Sequence, residues 1–188
     1  MRALLRFCQA IDWLNDRVGR ITYWAILVAV AVSAANATMR YAFNIGSNAW
    51  LELQWYLFAA VFLLCAGYTL LRNEHIRIDI VVGRMSARAQ SWIDIVGGVL
   101  CLLPMSIILM LLSWPVFVES WNLNEISTNS GGLIRWPVKL LMPIGFLLLT
   151  LQAVSEVVKR AAFLMGLTPN PADKIQPHGA AAGEAHGK

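Results

Sequence analysis

Four long apolar stretches, separated by short polar segments, dominate the chain. They cover residues 21–39, 50–71, 92–116 and 136–158. The central portions of these stretches contain no Asp, Glu, Lys or Arg. Crossing the hydrocarbon layer of a bilayer, about 30 Å thick, takes about 20 apolar helical residues. One charge at the centre of such a helix costs about 2.5–3.5 kcal/mol on insertion scales. The pattern therefore predicts an all-α polytopic membrane protein whose four transmembrane helices form one domain over residues 21–160.

The segment before the first stretch, residues 1–20, is amphipathic. Its apolar side chains recur at helical spacing, at Leu4, Phe7, Ile11, Leu14 and Val18. This pattern predicts an N-terminal interfacial helix that lies on the inner membrane surface before the chain turns into the bilayer. The alternative is that residues 2–18 form a cytoplasmic extension of the first transmembrane helix.

A short motif in the first stretch raises the question of processing. The sequence VSAANA, residues 32–37, resembles a signal-peptidase site, and cleavage there would remove the first helix. The apolar run is long for a signal peptide, however, and Asp12 and Asp16 precede it. These features favour a first helix that is retained.

The positive charges are distributed unequally between the two sides of the predicted membrane domain. Twelve of the 15 Lys and Arg residues lie in the N-terminal segment, between the second and third helices, or after the fourth. The others are Arg40, Arg135 and Lys139. Because cytoplasmic loops retain positive charge, this bias predicts that both termini lie in the cytoplasm. The net charge of +4 is thus explained by topology and by contact with membrane lipids, without a nucleic acid partner.

The connecting segments differ in composition. The segment VGRMSARAQSW, residues 82–92, predicts a second surface helix before the third stretch, with Ser86 as its N-cap. On the outer side, residues 40–49 form a short loop, while residues 119–135 form a longer one that is rich in Asn and Gly. Residues 161–188 lack apolar periodicity towards their end and predict a disordered cytoplasmic tail.

The sequence offers little material for catalysis. Its three cysteines are far apart, which excludes the paired spacing of a thiol oxidoreductase or a metal site. Its three histidines all lie outside the four stretches, so none can bind haem within the bundle. We therefore predict no enzymatic activity, no cofactor and no metal.

A transport pathway through this chain alone is also disfavoured. Moving an ion or an acid usually requires ionisable groups near the membrane midplane. Glu52, Asp94, Lys139 and Glu156 each lie close to the end of a predicted helix. The bundle therefore has the character of a scaffold.

Two sets of residues are candidates for contact with another subunit. Small residues recur at every fourth position of the first helix: Ala25, Ala29, Ser33 and Ala37. This seam allows close helix packing, either with a partner or within the chain. Polar residues at the outer helix ends form the second set: Glu52, Gln54, Arg135 and Lys139. Their spacing leaves open whether they pair within the chain or across an interface.

Four motifs resemble a known family. They are ELQWYLF (52–58), YTLLRNEHIRIDI (68–80), WIDIVG (92–97) and SGGLIRWPVKLLMPIGF (130–146). Their order and spacing are similar to those of the small, four-helix membrane subunit of tripartite ATP-independent periplasmic (TRAP) transporters, the DctQ-type subunit. The resemblance covers residues 50–160.

The resemblance implies a role and two protein partners. In that family a periplasmic substrate-binding protein delivers an organic acid to a pair of subunits in the bacterial inner membrane. The large membrane subunit moves as an elevator and couples uptake to sodium. The small subunit is a non-catalytic part of the fixed scaffold. The alternative of a different class is an autonomous homo-oligomeric carrier or membrane-organising protein.

The resemblance also draws attention to the charged hairpin between the second and third helices. Its matching residues are Arg72, Asn73, Glu74, His75, Arg77 and Asp79. We expect Asn73 and Asp79 to cap neighbouring helix ends. We expect Arg72 and Arg77 to hold the inner edge of the protein against headgroups or against the large subunit.

Overall fold

The computed structural model describes residues 2–72 and 86–168. Their helices are α1 (Arg2–Phe43), α2 (Asn48–Leu64), α3 (Ala66–Arg72), α4 (Ala87–Gly97), a π-helical turn (Gly98–Leu102), α5 (Leu103–Asn122) and α6 (Trp136–Leu164). Four spans are long and apolar enough to cross a membrane: span 1 within α1, span 2 from α2 and α3, span 3 from α4 to α5, and span 4, which is α6. The predicted four-span, all-α fold is confirmed.

Span 1 differs from the arrangement expected at its start. Residues 2–18 are helical, but they continue into the membrane span without a turn, as one helix of 42 residues. No proline interrupts this region of the sequence. With a rise of 1.5 Å per residue, a helix of this length extends about 63 Å, roughly twice the hydrocarbon thickness.

The amphipathic face of span 1 also differs from the expected one. Within residues 4–18 the buried residues are Cys8, Ile11 and Asn15, whereas Leu4 and Phe7 are exposed. The buried face is a narrow, partly polar strip that packs along span 4. Continuity is therefore favoured, because a turn near residue 20 would separate this strip from span 4.

Span 2 is interrupted at Cys65, where α2 ends and α3 begins. Two glycines allow close backbone approach around this interruption. A Cβ atom on Gly145 of span 4 would lie 2.7 Å from the carbonyl oxygen of Leu63. A Cβ atom on Gly67 would lie 2.2 Å from Oδ1 of Asn15. Spans 1, 2 and 4 therefore approach one another closely here, and at Gly67 of span 2 there is no room for a side chain larger than that of glycine.

Ser86 is the N-cap as predicted, since its side chain accepts a hydrogen bond from the backbone N–H of Ala89 at 3.4 Å. The helix that it caps is not a separate surface helix, however, because it continues directly into span 3. Small residues face span 4 along its length: Ser91, Gly98, Ser106, Ser113 and Ser120. Their spacing is seven residues except across the π-helical turn, where it is eight. A π turn accommodates one extra residue, so this turn restores the alignment of the small residues with span 4.

Span 4 is the centre of the described bundle. It packs against spans 1, 2 and 3, and its buried residues include Leu148, Gln152, Ala153, Ser155 and Ala162.

Span 3 exposes long apolar side chains on its other faces: Met105, Ile108, Leu111 and Leu112. Such faces suit lipid or another membrane protein. Residues 73–85 and 169–188, which include most of the charged hairpin and most of the predicted tail, lie outside the described residues.

Candidate functional site

Polar side chains gather at the two ends of the bundle. We call the end near residues 12–20, 72 and 152–160 the terminus end. We call the end near residues 43–48 and 123–135 the loop end. Each end contains a polar cluster that connects segments far apart in the sequence. These two clusters are the candidate functional features of the described chain.

The terminus-end cluster connects span 1 to span 4 through charged groups. Lys159 Nζ lies 3.0 Å from Oδ2 of Asp12 and 2.6 Å from Oε1 of Glu156. Gln152 Nε2 donates to Asp12 Oδ1 at 2.9 Å and to Glu156 Oε1 at 3.2 Å. Ser155 Oγ also donates to Asp12 Oδ1, at 3.0 Å. One ammonium group and two neutral donors therefore satisfy two carboxylates between the helices.

Asn15 extends this cluster into the fully buried interior. Its Nδ2 donates to Oε1 of Gln152 at 2.9 Å, and both side chains are 0% exposed. Buried amides contribute to stability when they are hydrogen-bonded, and they are costly when they lose their partners. The Asn15–Gln152 bond therefore fixes how far span 1 can slide along span 4.

Two further ion pairs attach the other spans at this end. Arg72, a predicted interface residue, lies 2.8 Å from Asp16 of span 1, and its guanidinium stacks over the Tyr68 ring at 5.3 Å. Asp94 of span 3 lies 2.5 Å from Arg160 of span 4. Arg72 thus pairs within the chain.

The loop-end cluster is centred on the Glu52 carboxylate. Its Oε1 accepts hydrogen bonds from Ser127 Oγ and from Asn129 Nδ2, the latter at 2.8 Å. Its Oε2 accepts from the backbone N–H of Leu133 at 2.7 Å. The Glu52 side chain is buried. A carboxylate on span 2 therefore organises the loop between spans 3 and 4 through contacts within the chain.

Glu125 holds the same loop to the start of span 4. It pairs with Lys139, accepts a hydrogen bond from Ser120 Oγ at 2.8 Å, and lies 3.8 Å from Arg135. The hydrogen bonds from Lys139 and Ser120 hold the pKa of Glu125 below its ordinary value. The predicted interface residues Arg135 and Lys139 thus have a partner within the chain.

The loop has two further attachments to span 2. Tyr56 donates its hydroxyl to the carbonyl of Ile134 at 3.1 Å. Asn48 Nδ2 donates to the carbonyl of Ser130, also at 3.1 Å. Together with Glu52 they give the loop a defined shape at the end of the bundle.

The small-residue seam of span 1 is divided by the structure. Ala29 is fully buried, Ala25 and Ser33 are half-buried, and Ala37 is exposed. The middle of the seam thus packs inside the chain, while its end near the loops is open. Gln54 is half-buried on span 2. Asn73, Glu74, His75, Arg77 and Asp79 lie outside the described residues.

Sequence reasoning missed the terminus-end cluster, although the sequence contained a signal for it. Gln152, Ser155, Glu156 and Lys159 recur at spacings of three and four, which places them on one helix face. A polar stripe at the end of an apolar helix needs polar partners, and Asp12 supplies one. Within residues 2–72 and 86–168, no group of three or more His, Cys, Asp or Glu side chains could hold a metal ion.

Comparison with known proteins matches most of the chain to a protein family. The family described as "Tripartite ATP-independent periplasmic transporters, DctQ component" matches residues 29–163, more than half of the chain. No curated protein and no solved structure matches. The matched range contains the whole loop-end cluster and the span 4 part of the terminus-end cluster. It excludes Asp12 and Asn15, which precede residue 29.

Proposed function

The chain belongs to the family of DctQ components of TRAP transporters, and we propose that it acts in such a transporter as a non-catalytic scaffold. As a small permease subunit it packs beside a large elevator-type subunit in the bacterial inner membrane. The complete transporter takes up an organic acid, delivered by a periplasmic binding protein, in symport with sodium. Both termini of the small subunit lie in the cytoplasm.

One observation supports the scaffold role most directly. The carboxylates that lie against the described bundle have partners within the chain, at one end or the other: Asp12, Asp16, Glu52, Asp94, Glu125 and Glu156. Ionisable groups that bind cargo in a membrane are expected to face a cavity or a pathway near the midplane. Here they connect helices and a loop, which suits a rigid support.

We propose that the large subunit contacts the exposed apolar faces of the spans. The open end of the seam at Ala37 lets a neighbouring helix approach closely, and Gln54 on span 2 can supply a polar contact. The hairpin residues beyond Arg72 remain predicted contacts at the cytoplasmic side.

Reconstitution with a candidate large subunit and binding protein from the same genome tests this function. The tagged small subunit is expected to retain the large subunit through detergent purification. Proteoliposomes are expected to accumulate an organic acid under a sodium gradient only when all three proteins are present. A matched preparation without the small subunit measures its contribution. Uptake by the small subunit alone would contradict the scaffold role and favour an autonomous carrier.

A further inference from the structure

A small cavity lies between spans 1 and 2 at the loop end. Its volume is about 120 Å³, and it is lined by Ala35, Asn36, Met39, Ile45, Ser47 and Trp50. The lining combines apolar side chains with two polar ones. This cavity is separate from the Glu52 and Glu125 contacts that organise the longer loop.

Asn36 is the more deeply buried of the two polar residues that line this cavity. It is only 9% exposed, and its amide has no hydrogen-bond partner among residues 2–72 and 86–168. A buried amide without a partner is unfavourable, and more so near lipid than near water. The Asn36 side chain is therefore available to donate to a ligand in the cavity.

The start of span 2 offers further donors on the same cavity. Ser47 is the N-cap of α2, but its side chain makes no capping hydrogen bond, and the first turn contains no acidic residue. The first backbone N–H groups of a helix lack partners within the helix and attract negative charge. Ser47 and Trp50 therefore bring an uncapped helix N-terminus to the cavity wall.

Arg40 adds a positive charge one helical turn beyond Asn36. Its Nε lies 3.4 Å from the position that a Cβ atom on Gly46 would occupy, so the guanidinium lies over the short loop. Among the described residues, no carboxylate pairs with Arg40. The cavity wall thus supplies an amide and a helix N-terminus, and the Arg40 guanidinium lies next to it over Gly46. This arrangement suits an anionic oxygen group.

The surroundings indicate which anion. Tyr41, Phe43, Ile45 and Trp50 are exposed around the site. Aromatic side chains of this kind lie at the headgroup level of a bilayer. At that depth phospholipid phosphates are present, and their acyl chains extend along the neighbouring apolar helix surface.

We propose that the cavity between Asn36, Arg40 and the N-terminus of α2 binds the phosphate of a phospholipid. Arg40 pairs with the phosphate, while Asn36 and the first turn of α2 donate hydrogen bonds to its oxygens. Met39, Ile45 and Trp50 contact the glycerol and the upper part of an acyl chain. This inference goes beyond the proposed function and does not depend on the large subunit.

Native mass spectrometry of the purified full-length protein, titrated with dioleoylphosphatidylglycerol, tests the site. The wild-type protein is expected to bind one lipid molecule more tightly than any further lipid molecules. Asn36→Leu and Arg40→Gln should each weaken that binding about tenfold, because each removes a hydrogen bond to a charged group. Thr38→Val is the matched control, since Thr38 is exposed on the same helix and bonds only to the carbonyl of Ala34.

Two probes separate the sources of the signal. Dioleoylglycerol has the same acyl chains without phosphate, and it should not compete. Inorganic phosphate should not displace the lipid, and displacement at comparable concentration would overturn the lipid assignment in favour of free phosphate.

Further results would overturn the proposal. One is equal lipid affinity in the wild type, Arg40→Gln and Thr38→Val. Because Arg40 is exposed, its variant gives this answer even if Asn36→Leu does not fold. Another is unchanged lipid binding in Arg40→Gln with loss of a co-purifying protein, which would assign the site to a carboxylate of a partner.

Discussion

The two ends of the bundle are held together by different kinds of contact. At the terminus end, ion pairs and buried amides join side chains of different helices, as between Asp12 and Lys159 or Asn15 and Gln152. At the loop end, the Glu52 carboxylate on a helix accepts hydrogen bonds from a loop. The first arrangement fixes the helices relative to one another, whereas the second fixes the shape of one connection.

The two kinds of contact stabilise different parts of the protein: contacts between helices stabilise the whole bundle, whereas contacts between a helix and the loop stabilise the loop. Removing a contact between helices weakens the packing of the whole bundle, because span 4 is shared by the other spans. Removing a contact between a helix and a loop allows the loop to open while the helices stay packed. A scaffold needs both properties: a fixed body and a surface of defined shape. Substitutions at the two ends should therefore have measurably different consequences.

The largest expected effect is at Gln152. Gln152→Ala leaves a cavity, and it removes the acceptor of Asn15 and the donor to Asp12 and Glu156. We expect the free energy of unfolding in detergent to fall by about 3 kcal/mol. Gln54→Ala makes the same chemical change at a half-buried position and should change stability by less than about 0.5 kcal/mol. Equal losses in both variants would contradict a special role for the terminus-end cluster.

The next effect is the coupling between Asp12 and Lys159. A double-mutant cycle with alanine at both positions should give a coupling energy of about 1–2 kcal/mol, because the side chains are only 25% and 20% exposed. The pair Asp16 and Arg20 is the control, since Arg20 is 63% exposed, and its coupling should stay below about 0.5 kcal/mol. A coupling at Asp12 no larger than this would refute the ion pair between spans 1 and 4 as a source of stability.

At the loop end, Glu52→Gln should have a local effect. The glutamine side chain has the same shape as glutamate, but one carboxylate oxygen becomes an NH2 group. That NH2 group then faces either the Asn129 amide or the Leu133 N–H, which are donors to Glu52 in the wild type. Hydrogen exchange at the Leu133 amide should become about tenfold faster, while the unfolding midpoint of the bundle changes little. Glu119→Gln is the control, because Glu119 is exposed and outside the cluster. Loss of bundle stability in Glu52→Gln would remove the distinction between the two ends.

The smallest expected effect is the pH dependence of Glu125. Because its pKa is lowered in the folded protein, its stabilisation is complete above the ordinary carboxyl range. That stabilisation is lost as the pH falls through the lowered pKa. Glu125 is 30% exposed, so salt screens the effect. The hydrogen-exchange protection of the loop amides, corrected for the pH dependence of intrinsic exchange rates, should fall about twofold when the pH is below the ordinary carboxyl range. Glu125→Gln should show no such change, and a wild type without it would contradict the assignment.

The four spans were predictable because the hydrocarbon layer strongly penalises charge, and long charge-free stretches are rare outside membrane-spanning helices. The Ser86 cap was predictable because its hydrogen bond is local. The start of span 1 was not, because an amphipathic segment can bury its face against lipid or against protein. The buried strip with Cys8 and Asn15 is offset from the most apolar face, and that offset follows from the position of span 4.

The partners of the candidate site residues required three-dimensional information. The sequence marked Glu52, Lys139 and Arg72 as unusual, because charged residues at the ends of apolar helices are few. It could not show that Glu52 binds a loop about 80 residues away, or that Arg72 pairs with Asp16. Periodicity identifies which residues share a face of one helix, but not which other helix lies opposite.

The π-helical turn at Gly98–Leu102 has a consequence for how span 3 can vary in length. The extra residue lies where the backbone already departs from α-helical hydrogen bonding, so losing one residue there would leave an ordinary α-helix. The small residues would then follow an unbroken seven-residue repeat from Ser91 to Ser120. Elsewhere in span 3, a one-residue deletion would rotate everything after it by about 100°. Natural variation in the length of this helix is therefore expected to concentrate at the π-helical turn.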